Sequence, residues 1–349
     1  MSKYRAVAPS NIALIKYMGK SDYESNVASS PSISLTLPQL NSLVTAKVSH
    51  NVDDSWQSLS EIGQQEVLAL RNNGEMKTHV NVGTFKSPQL NEKSQVRFLK
   101  HWRRCKEFFG IENNFILESA NNFPADCGIA SSASSFAALT LLAYAVAKDL
   151  GPKKKDVPLA QLARLSREGS GSSCRSFFEP WCVWDGECIE PVELGFSHMI
   201  HAVVLVDQGK KLVSSSEAHR RVNSSLLYEH RHTRAVRRLS DFIVAMRTAS
   251  KESWKAVFDN VWAEFWDMHS LFETSMPSFG YMTVESFKIL AVVRNYWRDH
   301  SDGPLVTMDA GANVHLIFRS DQQSRLKEIS QLLGNFTILS GTGEGREEI

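Results

Sequence analysis

The stretch Pro124–Leu139, PADCGIASSASSFAAL, decides how the rest of this chain is read. A proline turn and a glycine lead through small hydroxyl residues into a helical apolar pattern. Small side chains let backbone N–H groups come close to a ligand, and a helix N-terminus carries partial positive charge. Together they form a cradle for phosphate oxygens, with Ser131, Ser132, Ser134 and Ser135 as further donors. The plainer alternative is a capped helix packed tightly through small residues. The segment has neither the GK[ST] ending of a Walker A loop nor a GxGxxG fingerprint, so a phosphate site here follows another design.

Outward from this loop, periodicity places the other elements. Tyr4–Ala8 and Ile12–Ile15 read as strands around a loop at Pro9–Asn11, and Ser32–Leu37 alternates like a half-buried strand continued by Leu43–Val48. Residues 51–92 read as strands joined by turns. Gln95–Phe109 has helical spacing, with Val96, Leu99, Trp102 and Phe108 on one face. Ile116–Ser119, Val183–Ile189, Ile200–Val206 and Val314–Phe318 are strand-like. Leu139–Leu150, Leu159–Arg167, His219–Val244, Ser253–Phe272 and Val284–Trp297 are helical. Helices and strands mixed without regular alternation predict an α+β fold.

Composition narrows the function classes. The 349 residues suffice for two ordinary domains or one large one, and 42% hydrophobic residues support well-filled cores. A net charge of +1 gives no reason to expect a nucleic-acid or membrane partner. The arginine-rich stretch His219–Val244 tempts a nucleic-acid reading, but Glu229 and Asp241 interrupt it and no aromatic platform interleaves. Cys105, Cys127, Cys174, Cys182 and Cys188 form no CxxC or zinc spacing and read as reduced core thiols, although Cys182 and Cys188 could approach across a hairpin. The N-terminus lacks an apolar signal region, and no apolar run reaches bilayer length, so a cytoplasmic location is expected.

Four separated segments carry candidate chemistry. In Ser10–Lys20, Lys16 and Lys20 could aim two ammonium groups at an anion. The phosphate loop is the second segment. In Gly169–Ser176, GSGSSCRS, a flexible backbone, hydroxyls and the planar fork of Arg175 could clamp a carboxylate or phosphate. In Met308–Gly311, a strand delivers Asp309 beside a glycine turn, fit for a base or an electrostatic anchor. Each has a plain structural alternative: bracketing surface lysines, a glycine-rich helix cap, a turn-forming aspartate.

Taken together, APSNIALIKYMGK, SSPSISLTL, PADCGIASSASSFAAL, GSGSSCRS and MDAGANVHLIF closely resemble the mevalonate diphosphate decarboxylases of the GHMP kinase superfamily, and most nearly a bacterial subgroup. That resemblance implies a two-lobe α+β fold: a ribosomal protein S5 domain 2-like N-terminal lobe (1–190), a ferredoxin-like C-terminal lobe (191–349) and an active site between them. It implies ATP-dependent decarboxylation of mevalonate 5-diphosphate to isopentenyl diphosphate, with Mg²⁺ and usually as a homodimer. By the same resemblance, Asp309 contacts the C3 hydroxyl, Arg175 holds the substrate carboxylate and Lys20 lies near Asp309. Tyr17, Met18, Gly19, Lys93, Ser170, Gly171, Ser172, Ser173, Cys174 and Ser216 fall at substrate-binding positions. Pro124, Gly128, Ile129, Ala130, Ser131, Ser132, Ala133 and Ser134 fall around the ATP phosphates. The chain departs from the commoner pattern at Met18, where tryptophan is usual, and at Lys93, where an arginine usually serves the diphosphate. Glu217 and Ala218 stand where a glycine often follows. These departures leave open a phosphomevalonate decarboxylase or a small-molecule kinase; a non-catalytic nucleotide-binding protein is the distant alternative.

Overall fold

The computed structural model describes residues 3–59, 68–70, 76–77, 90–123, 131–152, 156–196, 198–206, 212–341 and 346–348. The first half builds an eight-stranded sheet. Its strands are β1 (Lys3–Ile15), β4 (Ser32–Ser49), β5 (Ser55–Ser58), β6 (Leu68–Leu70), β7 (Met76–Lys77), β8 (Asn114–Asn121), β9 (Trp181–Asp185) and β10 (Cys188–Pro191). Along the main path the order is β10-β9-β4-β1-β6-β7, with β8 beside β4 and β5. A separate small hairpin joins β2 (Lys20–Asp22) to β3 (Val27–Ala28). Helices α1 (Glu92–Phe109), α2 (Ser131–Leu150) and α3 (Leu159–Gly169) cover this lobe.

The second half builds a five-stranded sheet in the order β12-β13-β11-β14-β15. Its strands are β11 (Met199–Leu205), β12 (Leu305–Thr307), β13 (Val314–Arg319), β14 (Thr337–Gly341) and β15 (Arg346–Glu348). Around it lie α4 (Ser215–Arg221), α5 (Arg231–Thr248), α6 (Lys251–Glu273), α7 (Val284–His300) and α8 (Gln323–Leu332). One apolar cluster crosses between the lobes: Ile12, Leu14 and Trp181 pack with Val203, Phe242, Phe265 and Leu316. That shared core fixes the end of β1 against the second sheet.

Several expectations change for physical reasons. Pro9–Asn11 is no loop: β1 runs through it, antiparallel to β4, with a register shift between Pro9 and Ser10. Such a bulge absorbs a proline that cannot donate to the ladder. Ser32–Leu37 is buried on both faces, not half-buried. On its polar face Thr36 Oγ1 donates to the Phe178 carbonyl at 2.7 Å and Ser32 Oγ accepts from Arg175, while the buried Ser34 Oγ has no hydrogen-bond partner among the described residues. On α1 the buried face is Phe98, His101, Trp102 and Cys105, while Val96 and Phe108 are 60% and 43% exposed. The glycine-rich GSGSSCRS stretch is a largely buried 3₁₀ helix over Gly171–Phe177. By length and apolarity α2 could cross a bilayer, contrary to the sequence reading, but most of it is buried inside the protein. Cys182 lies opposite Pro191 and Cys188 opposite Asp185, so the two thiols do not face each other across the β9–β10 hairpin.

Candidate active site

A cleft of about 530 Å³ collects residues from both lobes. Its first wall is the end of β1 and the chain just beyond: Lys16, Tyr17, Met18 and Lys20. Ser131, Ser132 and Ser135, on the first turn of α2, form a second. The 3₁₀ segment contributes Ser170, Gly171, Ser172 and Arg175, α4 contributes Ser216 and His219, and Asp309 arrives from the loop after β12.

Asp309 sits two residues beyond β12, where the Gly311 N–H donates to the Asp309 carbonyl at 2.8 Å and turns the chain. Its carboxylate forms an ion pair with the Lys16 ammonium, which is 3% exposed. Burial pushes the Asp309 carboxyl up, but the charges of Lys16, His315 and Arg175 outweigh burial and hold it below the usual carboxylate range. Burial likewise lowers Lys16, and Asp309 opposes that fall. The site therefore presents an ionised aspartate at neutral pH.

Arg175 is fixed before any ligand arrives. Its Nε donates to Asn11 Oδ1 at 3.2 Å and its Nη1 to Ser32 Oγ at 2.9 Å. The guanidinium lies 5.5 Å from the Tyr17 ring and 5.9 Å from the Trp184 ring. All these partners are neutral, so they orient the charge without cancelling it. Tyr17 in turn stacks on His219 with centroids 4.8 Å apart, and burial raises its phenol to about 12. The Gly19 N–H donates to His219 Nδ1 at 3.0 Å, which leaves the proton of this ring on Nε2. Burial, then Lys20 and Arg175, lowers His219 to about 3, so the ring is neutral.

Two glycines are required here. Gly19 has φ +89°, and a Cβ on it would lie 1.9 Å from the Tyr228 hydroxyl. A Cβ on Gly171 would lie 2.7 Å from the Tyr17 hydroxyl.

The predicted residues separate into groups. Asp309, Arg175, Lys20, Tyr17, Met18, Ser170, Gly171, Ser172, Ser216, Ser131 and Ser132 line the cleft. Gly19 stands beside it, through its hydrogen bond to His219. Ala133 and Ser134 are fully buried behind the α2 face, where Ser134 Oγ lies 2.7 Å from Ser42 Oγ. Ser173 and Cys174 are also fully buried: Ser173 Oγ accepts from Ser166 Oγ at 2.7 Å, and the Cys174 thiol donates to the Gly171 carbonyl. Pro124, Gly128, Ile129 and Ala130 lie outside the described residues. Glu217 is held by Arg221 at 2.9 Å, away from the cleft wall.

Two charged assignments move. Lys16, not Lys20, meets Asp309; Lys20 Nζ donates to Asn26 Oδ1 at 2.5 Å in the β2–β3 hairpin. Lys93 is exposed and off the cleft wall, whereas Arg97, one turn further along α1, lines it. His219 was also missed as a wall residue. Its only signal was a histidine four residues beyond Ser215, and spacing alone cannot aim it.

The residues at the α2 face suit a nucleotide phosphate. Three serine hydroxyls open on the cleft at the start of a 20-residue helix, where unsatisfied N–H groups and the helix dipole favour anions. Among the described residues no group of three His, Cys, Asp or Glu side chains forms a metal cage.

Comparison with known proteins gives the family and the fold. Among curated relatives, the diphosphomevalonate decarboxylase of Candida albicans is 30% identical over 96% of this chain and 88% of its own length. The crystal structure of a mevalonate diphosphate decarboxylase from Legionella pneumophila is similar with TM-score 0.83 and 38% identity, over 97% of this chain and 100% of that one. MDDEF in complex with MVAPP, AMPPCP and magnesium is similar with TM-score 0.79 and 25% identity, over 99% and 98%. The two sheets and the cleft between them are thus those of the GHMP kinase fold. Residues 8–188 match the diphosphomevalonate decarboxylase-like N-terminal domain and residues 201–342 the mevalonate 5-diphosphate decarboxylase C-terminal domain. The chain belongs to the diphosphomevalonate decarboxylase family.

Proposed function

We propose that this protein converts mevalonate 5-diphosphate to isopentenyl diphosphate with ATP and Mg²⁺, releasing ADP, phosphate and CO₂. The observation that carries this reading is one cleft holding an ionised Asp309 on Lys16, a preset Arg175, and the serine face of α2. A relative solved with MVAPP, AMPPCP and magnesium supports the choice of ligands.

The chain's own residues divide the work. Asp309 accepts a hydrogen bond from the substrate C3 hydroxyl and orients its oxygen for transfer. Lys16 keeps that carboxylate anionic while the oxygen gains negative character. Arg175 takes the substrate carboxylate, and its fixed fork sets the C–C bond that must break. Ser131, Ser132 and Ser135 donate to nucleotide phosphates, and one hydroxyl can join the Mg²⁺ shell. ATP supplies the phosphoryl group that makes the tertiary hydroxyl a leaving group. Loss of phosphate then draws the electrons of the departing carboxylate into the alkene, with Arg175 releasing neutral CO₂. No redox cofactor enters this balance. Positioning and electrostatics therefore do most of the work.

The test is stoichiometric. Purified protein with ATP, Mg²⁺ and mevalonate 5-diphosphate should release CO₂ and ADP in equal amounts, followed separately. ADP without CO₂ would make it a kinase, and equal release from the monophosphate alone would move the substrate. The expected homodimer rests on the resemblance alone; light scattering on the purified protein tests it.

A further inference from the structure

A line of polar side chains runs inside the apolar core where the two lobes meet. Gln39 of β4 lies against His201 of β11, with Gln39 Nε2 and His201 Nδ1 3.3 Å apart. His201 Nε2 lies 2.9 Å from Nδ1 of His315, on β13. The three residues are buried, and their chain neighbours Leu40, Ala202 and Leu316 belong to the cluster that crosses between the lobes. Burying polar groups in such a core costs stability unless each is hydrogen-bonded, and apolar side chains would fill the same space without that cost.

The chemistry of each group gives the line a direction. An amide nitrogen only donates, so Gln39 Nε2 gives its hydrogen bond to His201 Nδ1. Burial, then His315, lowers His201 well below the usual histidine range, so its ring is neutral. With Nδ1 accepting, its one proton lies on Nε2 and is donated to His315 Nδ1. The proton of His315 is thereby left on Nε2, on the side of the ring away from His201. Hydrogen bonds aligned head to tail in this way polarise one another.

The sheet register brings the end of the line to the reaction. His315 lies opposite Thr307, the last residue of β12, and Asp309 follows two residues later. His315 is also one of the groups that hold the Asp309 carboxyl low. At the other end, the Gln39 carbonyl accepts from Asn122 Nδ2 at 2.9 Å. Resting on the function proposed above, we infer that Gln39, His201 and His315 are positioning residues for Asp309, their aligned hydrogen bonds turning the His315 Nε2 proton towards its carboxylate. None of the three lines the cleft, so they act through Asp309 and not on the substrate.

Gln39→Met keeps the length of the side chain and removes its donor. Nitrogen-15 NMR of the full chain with labelled histidine reads the direction, and His201→Phe identifies the signals. In wild type both rings should carry their proton on Nε2 alone, and in Gln39→Met both should show mixed tautomers. Either ring protonated on Nδ1 in wild type, or unchanged tautomers in Gln39→Met, overturns the chain. Kinetics with ATP and mevalonate 5-diphosphate read its effect. In Gln39→Met and His201→Phe kcat should fall about 10-fold, with both KM values within about twofold of wild type. His201→Phe keeps a ring in place and serves if Gln39→Met does not fold. A kcat within about twofold of wild type in both variants, or KM values that rise as kcat falls, overturns the role. If wild type turns over nothing, the proposed function fails, while Nε2 tautomers lost in Gln39→Met still support the chain and their retention refutes it.

Discussion

Two clusters of positive charge in this protein are built from the same residue types and are partnered in opposite ways. On α5, Arg231, Arg234 and Arg238 meet Glu264 and Asp267 of α6 in a buried network. Arg231 Nη1 donates to Asp267 Oδ2 at 2.8 Å, Arg234 Nη2 to Asp267 Oδ1 at 2.9 Å and Arg238 Nη1 to Glu264 Oε2 at 2.9 Å. The network grips β1's end as well: the Lys16 N–H donates to Glu264 Oε1 at 2.9 Å, and Arg231 Nη2 donates to the Lys16 carbonyl at 2.5 Å. Around a second cavity of about 330 Å³ that adjoins the cleft, Lys20, Arg97 and Arg220 have only neutral partners among the described residues. Pairing, not the number of positive charges, separates the two clusters. The first holds the lysine that meets Asp309; the second keeps its positive charge beside the cleft.

Breaking the paired cluster should have the larger effect on stability. Glu264→Gln leaves Arg231, 1% exposed, without its main counter-charge. Removing one partner of a buried pair costs about 3–5 kcal/mol, so chemical denaturation should show a loss of that size. Turnover should also fall, because the Glu264 charge holds Arg231 where it donates to the Lys16 carbonyl. A variant as stable as wild type would remove the distinction drawn here.

The unpaired cluster should respond in the opposite sense. Lys20→Met removes a like charge and should leave stability unchanged or raise it by up to about 1 kcal/mol in chemical denaturation. A clear loss of stability would mean that Lys20 is paired after all.

A pH titration sharpens the same contrast. Burial, then Arg97 and Arg220, lowers Lys20 from 10.5 to about 8. Lys20 also faces Asn26, Tyr23 and Glu24 of its own hairpin, Glu168 of α3, and Ser216 and the neutral His219 of α4. Between about pH 8 and 10.5 the unfolded chain holds this proton and the folded chain does not, so Lys20 makes stability rise with pH there. The difference between wild type and Lys20→Met across that window isolates the contribution; a difference flat in pH would contradict it.

Much of this was legible in the sequence. The strand delivering Asp309, the helix after the serine run, and Arg175 in a small-residue segment all follow from local pattern. What was not legible depended on turns and registers. Lys16 and Lys20 bracket the same short stretch, but β1 ends at Ile15 and Gly19 turns the chain at φ +89°. Lys16 is thereby left at the strand end facing Asp309, and Lys20 starts a new hairpin facing α1. Lys93 and Arg97 are one helical turn apart on α1, and only the packed helix decides which enters the cleft. The acids that neutralise the α5 arginines come from α6, 26 to 36 residues further along, beyond any local window. Composition could reject a nucleic-acid face there, but it could not identify the partners.

The measurement that tests the account most directly is single-turnover chemistry in Asp309→Asn. The substitution keeps the shape of the side chain, so ATP and mevalonate 5-diphosphate should bind with near wild-type affinity. Both ADP and CO₂ formation should fall together, by on the order of 10³-fold. Turnover within tenfold of wild type, or loss of CO₂ release with ADP release intact, would contradict an ionised Asp309 held on Lys16 as the centre of the reaction.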